Sequence, residues 1–161
     1  MPALATSEPY VVLGVMSNPY KPLLREQWRE WASTFNGAGT SVRVRYVFGK
    51  TVYQQNDDQG LNTAELPTVK SEVKPSGESD HIFVAGREKL PNVGVVTEKS
   101  AYFWQSATSI DATARWFCKC DDDTLVHLDR LANTLRYVRA PPARRLALPR
   151  DEPRLRCHAL M

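Results

Sequence analysis

The sequence predicts an α/β fold in which apolar strands alternate with amphipathic helices. Residues 10–16 form a continuous apolar run bounded by prolines, which is typical of a strand buried on both faces. In residues 21–35 the large apolar side chains recur at helical spacing, which predicts a helix that ends before Asn36 and Gly37. Residues 41–49 alternate apolar and mostly basic positions, as a second strand does. This order is the opening of a βαβ unit.

The second half of the chain continues the alternation. Short strands are predicted at residues 81–86 and 93–96, a helix at 101–114 and a strand at 116–120. A helical stripe follows, with Asp123 or Thr124 as its cap, and consists of Leu125, Leu128, Leu131, Leu135 and Val138. Residues 51–80 are polar with few large apolar groups, so we expect most of them to form a mobile surface insertion.

Composition and charge favour one domain at residues 10–138, followed by a tail at 139–161. The chain has 161 residues, 42% hydrophobic and 24% charged, as expected for a soluble globular domain. The tail has six arginines against two acids, a net +4, and shows no helix or strand period. It is either a disordered basic arm or sequence unrelated to the domain. Because the total charge is +3, residues 1–138 carry −1 and offer no argument for nucleic-acid binding.

Neither a membrane anchor nor a disulfide framework is indicated. No apolar run approaches the roughly 20 residues that span a bilayer, and the N-terminal residues lack the layout of a signal peptide. We therefore expect a chain that is neither anchored nor exported. Cys118 and Cys120 lie two apart in a predicted strand and share one face, which favours small buried residues over a disulfide or a soft-metal site.

Three consecutive acids, Asp121, Asp122 and Asp123, follow the strand predicted at residues 116–120. Adjacent like charges repel, so a fold that holds them together usually holds a cation with them. At the carboxyl end of a strand, such carboxylates can bind a hard divalent ion that in turn binds a diphosphate. The alternative is an exposed acidic turn that caps a helix, because Asp suits the positive end of the helix dipole.

Three motifs carry a resemblance to a known family. Residues 24–28 are Leu-Arg-Glu-Gln-Trp, residues 44–49 end a strand on Phe-Gly, and residues 119–127 are Lys-Cys-Asp-Asp-Asp-Thr-Leu-Val-His. They resemble the Ile-Arg-x-Thr-Trp element, the second strand and the Lys-x-Asp-Asp-Asp-x-Phe-Val-Asn signature of the β-1,3-galactosyltransferase-like hexosyltransferases. The last match is the specific one. The resemblance extends over about residues 11–135, with a poorly aligned polar middle.

The resemblance implies a Rossmann-like nucleotide-binding half of a GT-A fold, incomplete at its C-terminus, and a UDP-sugar donor. A hexose or N-acetylhexosamine would be transferred to a glycan hydroxyl with inversion. By position in the motif, Asp123 and Asp121 would bind Mn²⁺, while Asp121 and Asp122 would contact the nucleotide sugar. A divalent ion stabilises charge on a departing diphosphate, and Mn²⁺ accepts oxygen ligands. The glycan acceptor and a Golgi location are implied by the resemblance alone.

Arg25 and Lys119 complete the candidate donor site, each with a structural alternative. Arg25 would contact the nucleotide or pair with an acid on the helix surface. Lys119 points away from Cys118 and Cys120, toward the acids or a phosphate, and an ion pair with the acids is the alternative. The Lys that the family has near Ala107 is missing here, as is its later Glu-Asp-Val-like element, which would supply the base. We therefore assign no catalytic base and expect this chain alone to be nearly inactive.

Two other functions stay open at this point. A catalytically inactive nucleotide-sugar or protein-binding module would keep the fold and use the basic tail for contacts. An unrelated metal-dependent phosphoryl-transfer domain would use the same three acids on a phosphate ester.

Overall fold

Strands and helices alternate along the chain, as the sequence predicts. The computed structural model describes residues 11–35, 41–53, 60–73, 79–89 and 96–137. Its strands are β1 (Val11–Met16), β2 (Val42–Tyr53), β3 (Leu61–Asn62), β4 (His81–Lys89) and β5 (Trp116–Asp121). Its helices are α1 (Pro22–Ser33), α2 (Pro67–Lys70), α3 (Val96–Ile110) and α4 (Leu128–Tyr137), with a 3₁₀ turn at Thr63–Glu65. The predicted α/β class is confirmed.

Four parallel strands lie in the order β4-β2-β1-β5, and the short β3 pairs antiparallel with the end of β2. After β1, the chain places β2 beside β1 and then β4 beside β2. Helix α3 then returns the chain to β5, which pairs with the other edge of β1. Met16, at the end of β1, lies opposite Val47 of β2 and Asp121 of β5. The carboxyl ends of β1 and β5 therefore meet where the direction of strand addition reverses.

Helices cover both faces of the sheet. On one face, α1, α2 and α4 enclose a cluster with these buried members: Val11, Leu13, Val15, Trp28, Tyr46, Phe48, Val52, Leu66, Val69, Cys118, Leu128 and Leu135. On the other face, α3 encloses a second cluster: Val12, Met16, Val47, Val84, Phe103, Trp104, Ala107 and Phe117. All six residues of β1 are buried, as predicted for a strand covered on both faces.

Residues 60–73 belong to the stretch for which the sequence predicted a mobile surface insertion, and they pack onto the sheet instead. Leu66 and Val69 join the core beneath α1, and Thr63 is also buried. The segment was missed because few apolar side chains anchor it, while Glu72 is held by an ion pair that composition does not reveal. Residues 54–59 and 74–78 of the same stretch lie outside the described residues.

Two helices begin at residues other than those predicted. α3 begins at Val96, a residue that the sequence assigned to a strand, and residues 93–95 lie outside the described part of the chain. α4 begins at Leu128, so neither Asp123 nor Thr124 caps it, because the chain first makes a turn after β5. His127 caps this helix instead: its ring Nδ1 lies 3.4 Å from the Arg130 N–H nitrogen. The tail at 139–161 is likewise outside the described residues.

Gly14 of β1 lies against the ring of Phe103 in α3. A Cβ placed on Gly14 would be 2.6 Å from the nearest ring carbon, closer than side chains approach one another. We expect Gly14→Ala to lower the free energy of unfolding by about 1–3 kcal/mol, since overpacking forces the ring or the strand to move. Chemical denaturation measures this loss.

Phe103→Leu tests whether the contact causes the loss. In the combined variant the two losses should be less than additive, because the smaller side chain relieves the clash at Gly14. Strictly additive losses would contradict the direct contact.

Candidate functional site

The three acids lie at the edge of the sheet where β1 and β5 end. Asp121 is the last residue of β5, and the Thr124 N–H donates to its carbonyl at 3.2 Å, which closes a turn. Asp121 and Asp123 are exposed, whereas Asp122 between them is half-buried. Thr124 Oγ1 donates to Asp123 Oδ1 at 3.3 Å. Two exposed carboxylates thus flank one that the protein partly encloses.

Two indole rings of α1 hold the chain that carries the acids. Trp28 Nε1 donates to the Asp122 carbonyl at 3.2 Å, and Trp31 Nε1 donates to the Val126 carbonyl at 3.0 Å. Both tryptophans belong to the apolar stripe that predicted a helix at residues 21–35, and Trp28 is indeed fully buried. Their N–H groups give them a second role, because they fix the path of the backbone after β5.

The turn after β1 contacts the acids directly. The Asn18 N–H donates to Asp122 Oδ2 at 3.1 Å, across 104 positions of sequence. The Asn18 side chain folds back on its own turn, since its Oδ1 accepts the Tyr20 N–H at 2.9 Å. The Ser17 N–H donates to the Val47 carbonyl at 3.1 Å, which anchors the turn to β2. Asp122 is therefore oriented by backbone from a neighbouring strand.

Arg25 supports this turn from beneath α1. Its side chain is fully buried, and its guanidinium donates to Ser17 Oγ, to the Asn18 carbonyl and to both carboxylate oxygens of Glu72. The guanidinium also lies 5.2 Å from the centre of the Phe48 ring, a cation–π distance. Of the two alternatives for Arg25, the structure contains the pairing with an acid, which comes from residues 60–73 and not from the helix surface. Arg25 contributes to the site by shaping the turn.

A cluster of charges surrounds Glu72 behind this turn. Arg29 donates to Glu72 at 2.7 Å and to Asp80 at 3.0 Å, and His81 Nε2 lies 3.5 Å and 3.4 Å from the same two carboxylates. We call Arg25, Arg29, Glu72, Asp80 and His81 the Glu72 cluster. Burial would raise the pKa of Glu72 and Asp80, but hydrogen bonds from the arginines outweigh burial and lower both. Burial lowers the pKa of His81, so its ring is neutral at pH 7.

A second buried ion pair supports the turn from the α3 side. Lys99 Nζ donates to the Ser17 carbonyl at 2.7 Å and lies 2.9 Å from Glu88 Oε1. The lysine side chain is 4% exposed and the glutamate side chain 10%, so both charges are shielded from water. The Gly49 N–H of β2 donates to Glu88 at 2.8 Å, which joins β2 to this pair near the end of β4.

Lys119 lies on β5 two residues before Asp121. Strand alternation puts it on the α3 face with Phe117, away from Cys118 and Cys120, as predicted. It is half-buried and forms no ion pair with the described acids, so that alternative is not observed among them, and contact with a phosphate stays a prediction. Burial, followed by the charge of Asp121, raises the pKa of the Cys120 thiol to about 12.

The donor groups at this edge suit a hard cation shared with a ligand. Within the described ranges, no three His, Cys, Asp or Glu side chains form a group that could enclose an ion by themselves. Phosphate-linked divalent ions need fewer, because one or two carboxylates hold them together with the substrate's own oxygens and water. Asp121 and Asp123 are exposed carboxylates that fit this requirement.

The sequence analysis did not predict the buried pair Lys99 and Glu88, which supports the turn after β1. Lys99 shares a helical face with Phe103 and Ala107, but the predicted helix began at residue 101 and excluded it. Glu88 shares a strand face with Val84, but the predicted strand ended at residue 86. In each case the available signal was a charged residue at a core position just outside the predicted element, because the predicted helix began too late and the predicted strand ended too early.

Comparison with known proteins gave no match to a family model, to a curated protein or to a solved structure. No helix in the described ranges combines the length and apolar character needed to cross a membrane.

The Glu72 cluster makes stability depend on acid. The pKa of His81 is lower in the folded protein than its ordinary value of 6.5, so the unfolded chain binds this proton first when the pH is lowered. The free energy of unfolding therefore decreases as the pH is lowered below 6.5. Glu72 and Asp80 contribute stability that is fully present above their ordinary pKa values of 4.5 and 3.8. This contribution is lost as the pH falls below those values and through the lower pKa values of the folded protein. One proton of difference corresponds to about 1.4 kcal/mol per pH unit.

His81→Phe separates the two parts of this pH dependence. The variant keeps an aromatic ring among Tyr46, Phe48 and Phe83 but has no imidazole to protonate. We expect urea denaturation to show a flatter stability between pH 7 and 5.5, with the steep loss below pH 4.5 retained. An unchanged slope between pH 7 and 5.5 would contradict the neutral, buried state of His81.

Cys120 should be inert in the folded protein. Only the thiolate reacts with iodoacetamide, and a pKa of about 12 leaves almost none at pH 8. We expect mass spectrometry to find Cys120 unlabelled in native protein and labelled in guanidinium. Asp121→Asn should leave the protection in place, because burial is the largest cause of the raised pKa. Rapid labelling of Cys120 in the native protein would contradict the raised pKa of its thiol.

Proposed function

We propose that this chain is the donor-binding part of an inverting, Mn²⁺-dependent hexosyltransferase of the Rossmann-like GT-A type. The observation that carries the proposal is the position of Asp121, Asp122 and Asp123 beside the end of β1. In open α/β sheets, ligands bind outside the carboxyl ends of the strands, where the strand order reverses. The order β4-β2-β1-β5 reverses between β1 and β5, next to these acids.

Each acid has an environment that suits its proposed role. Asp123 and Asp121, both exposed, would hold Mn²⁺, which supplies positive charge for the departing diphosphate. Asp121 and Asp122 would accept hydrogen bonds from hydroxyls of the ribose and the sugar. Asp122 is half-buried and bonded to the Asn18 N–H, which limits its rotation and prepares it for one geometry. Lys119 would offer its ammonium to a phosphate oxygen.

The donor is proposed as a UDP-hexose or a UDP-N-acetylhexosamine, and the acceptor as a glycan hydroxyl of a glycoprotein or glycolipid. These assignments, and a Golgi location, rest on the resemblance of residues 24–28 and 119–127. The base that would deprotonate the acceptor is not assigned to any residue of this chain. A nucleotide-sugar-binding module without transfer activity would use the same acids, and detectable transfer by this chain would exclude it.

Calorimetry with UDP tests the donor site. We expect UDP to bind in the presence of Mn²⁺ and to be released by EDTA. Asp123→Ala should weaken binding by more than about 100-fold, since loss of even an outer partner of a metal ligand costs about 10–100-fold. Asp129→Ala is the matched control, because Asp129 is an exposed acid on the first turn of α4, outside the proposed site.

The outcomes separate the candidate functions. Equal UDP affinity for Asp123→Ala and the unaltered chain would refute the site. Detectable sugar transfer by the purified chain would exclude the inactive binding module and overturn the expectation that the chain alone is nearly inactive. Hydrolysis of a simple phosphate ester that Asp121→Asn abolishes would favour phosphoryl transfer instead.

A further inference from the structure

The peptide group between Ser17 and Asn18 connects a buried lysine to the middle acid of the triplet. Its carbonyl oxygen, on Ser17, accepts a hydrogen bond from Lys99 Nζ at 2.7 Å. Its N–H, on Asn18, donates to Asp122 Oδ2 at 3.1 Å. One planar group therefore has a cation at one end and a carboxylate at the other.

Peptide geometry makes these two hydrogen bonds depend on each other. The carbonyl and the N–H of a planar trans peptide point in opposite directions, so a bond that fixes one also fixes the other. The charge on Lys99 also polarises the peptide group, which makes its N–H a stronger donor. Lys99 thus aims the Asn18 N–H at Asp122 from the far side of the turn.

Lys99 is itself held firmly in place. Its side chain is 4% exposed and ion-paired to Glu88, which also accepts the Gly49 N–H at 2.8 Å. A buried ammonium with a carboxylate and a carbonyl as partners has little freedom to move, because leaving either would strand a charge or a polar group away from water. Glu88, near the end of β4 and bonded to Gly49 of β2, therefore determines where this cation lies.

Arg25 holds the next peptide group from the opposite face of the sheet. It donates to the Asn18 carbonyl, while Pro19 has no N–H to offer. The Ser17 N–H is already bonded to Val47. Among the backbone N–H groups of residues 17–19, that of Asn18 is thus the one that donates to the acids.

We propose that Lys99, supported by Glu88, is a positioning residue of the donor site. Through the Ser17–Asn18 peptide it holds Asp122 in the orientation that receives a metal-bound nucleoside diphosphate. This inference rests on the proposed function, because it assigns Lys99 a part in the same site. Lys99 acts on Asp122 through the peptide and contacts neither the ion nor the donor.

Two variants isolate the bond from Lys99 to the turn. Glu88→Gln keeps Lys99 next to the Ser17 carbonyl and retains a side-chain oxygen for the Gly49 N–H. Adding Lys99→Met to Glu88→Gln removes the bond to Ser17 without leaving an unpaired buried carboxylate. The double variant is therefore compared with Glu88→Gln, and Lys99→Arg tests whether another cation restores the bond.

Hydrogen exchange of the Asn18 amide reads the link without any ligand. We expect exchange at Asn18 to be at least about tenfold faster in the double variant than in Glu88→Gln, relative to the Leu13 amide of β1 in each protein. Normalising to Leu13 removes the effect of a general loss of stability, which speeds exchange at both amides. We expect Lys99→Arg to restore protection of Asn18.

Calorimetry with Mn²⁺ and UDP then tests the functional part. We expect affinity about tenfold lower in the double variant than in Glu88→Gln, because Asp122 loses the orientation in which it accepts hydrogen bonds from the ribose, and tenfold corresponds to about 1.4 kcal/mol, the contribution of one such bond. Unchanged exchange at Asn18 overturns the inference, and so does faster exchange with unchanged affinity. If the unaltered chain binds no UDP while Asn18 still responds to Lys99, the proposed function fails and the link between Lys99 and Asp122 stands.

Discussion

The chain leaves β1 in a turn whose carbonyl groups accept hydrogen bonds from two buried cations. Lys99 bonds to the first of these carbonyls and Arg25 to the next, from opposite faces of the sheet. An unsatisfied buried carbonyl is costly, so the two cations hold the turn in one conformation. Because the Asn18 N–H reaches Asp122 from that turn, the arrangement of the acids depends on both cations.

Each of these cations requires a buried acid, and this requirement explains a segment that seemed featureless. Glu72 pairs with Arg25, and Glu88 pairs with Lys99. Removing one partner of such a pair typically costs about 3–5 kcal/mol, because the other charge is left in a poorly solvated place. Residues 60–73 pass beneath α1 and bring Glu72 to Arg25, so a polar stretch of sequence serves the core.

The sequence was sufficient for the α/β class, for β1 and for the position of the acids after β5, because each depends on local apolar patterning. It was not sufficient for residues 60–73 or for Lys99, whose roles depend on ion pairs between distant positions. A charged side chain is expected at the protein surface unless its ion-pair partner is known, and hydrophobic periodicity in the sequence does not identify such partners. The same limit left the role of Arg25 divided between two alternatives until Glu72 was placed.

The positions of Trp28 and Trp31 make the backbone around the acids accessible to fluorescence measurements. Their indole N–H groups bond to the carbonyls of Asp122 and Val126, on either side of Asp123. Indole emission is sensitive to the hydrogen bonding and polarity around the ring, so a rearrangement of this backbone would alter the emission of both rings. The molecule thus contains its own fluorophores beside the acids, and no external label is needed to follow events there.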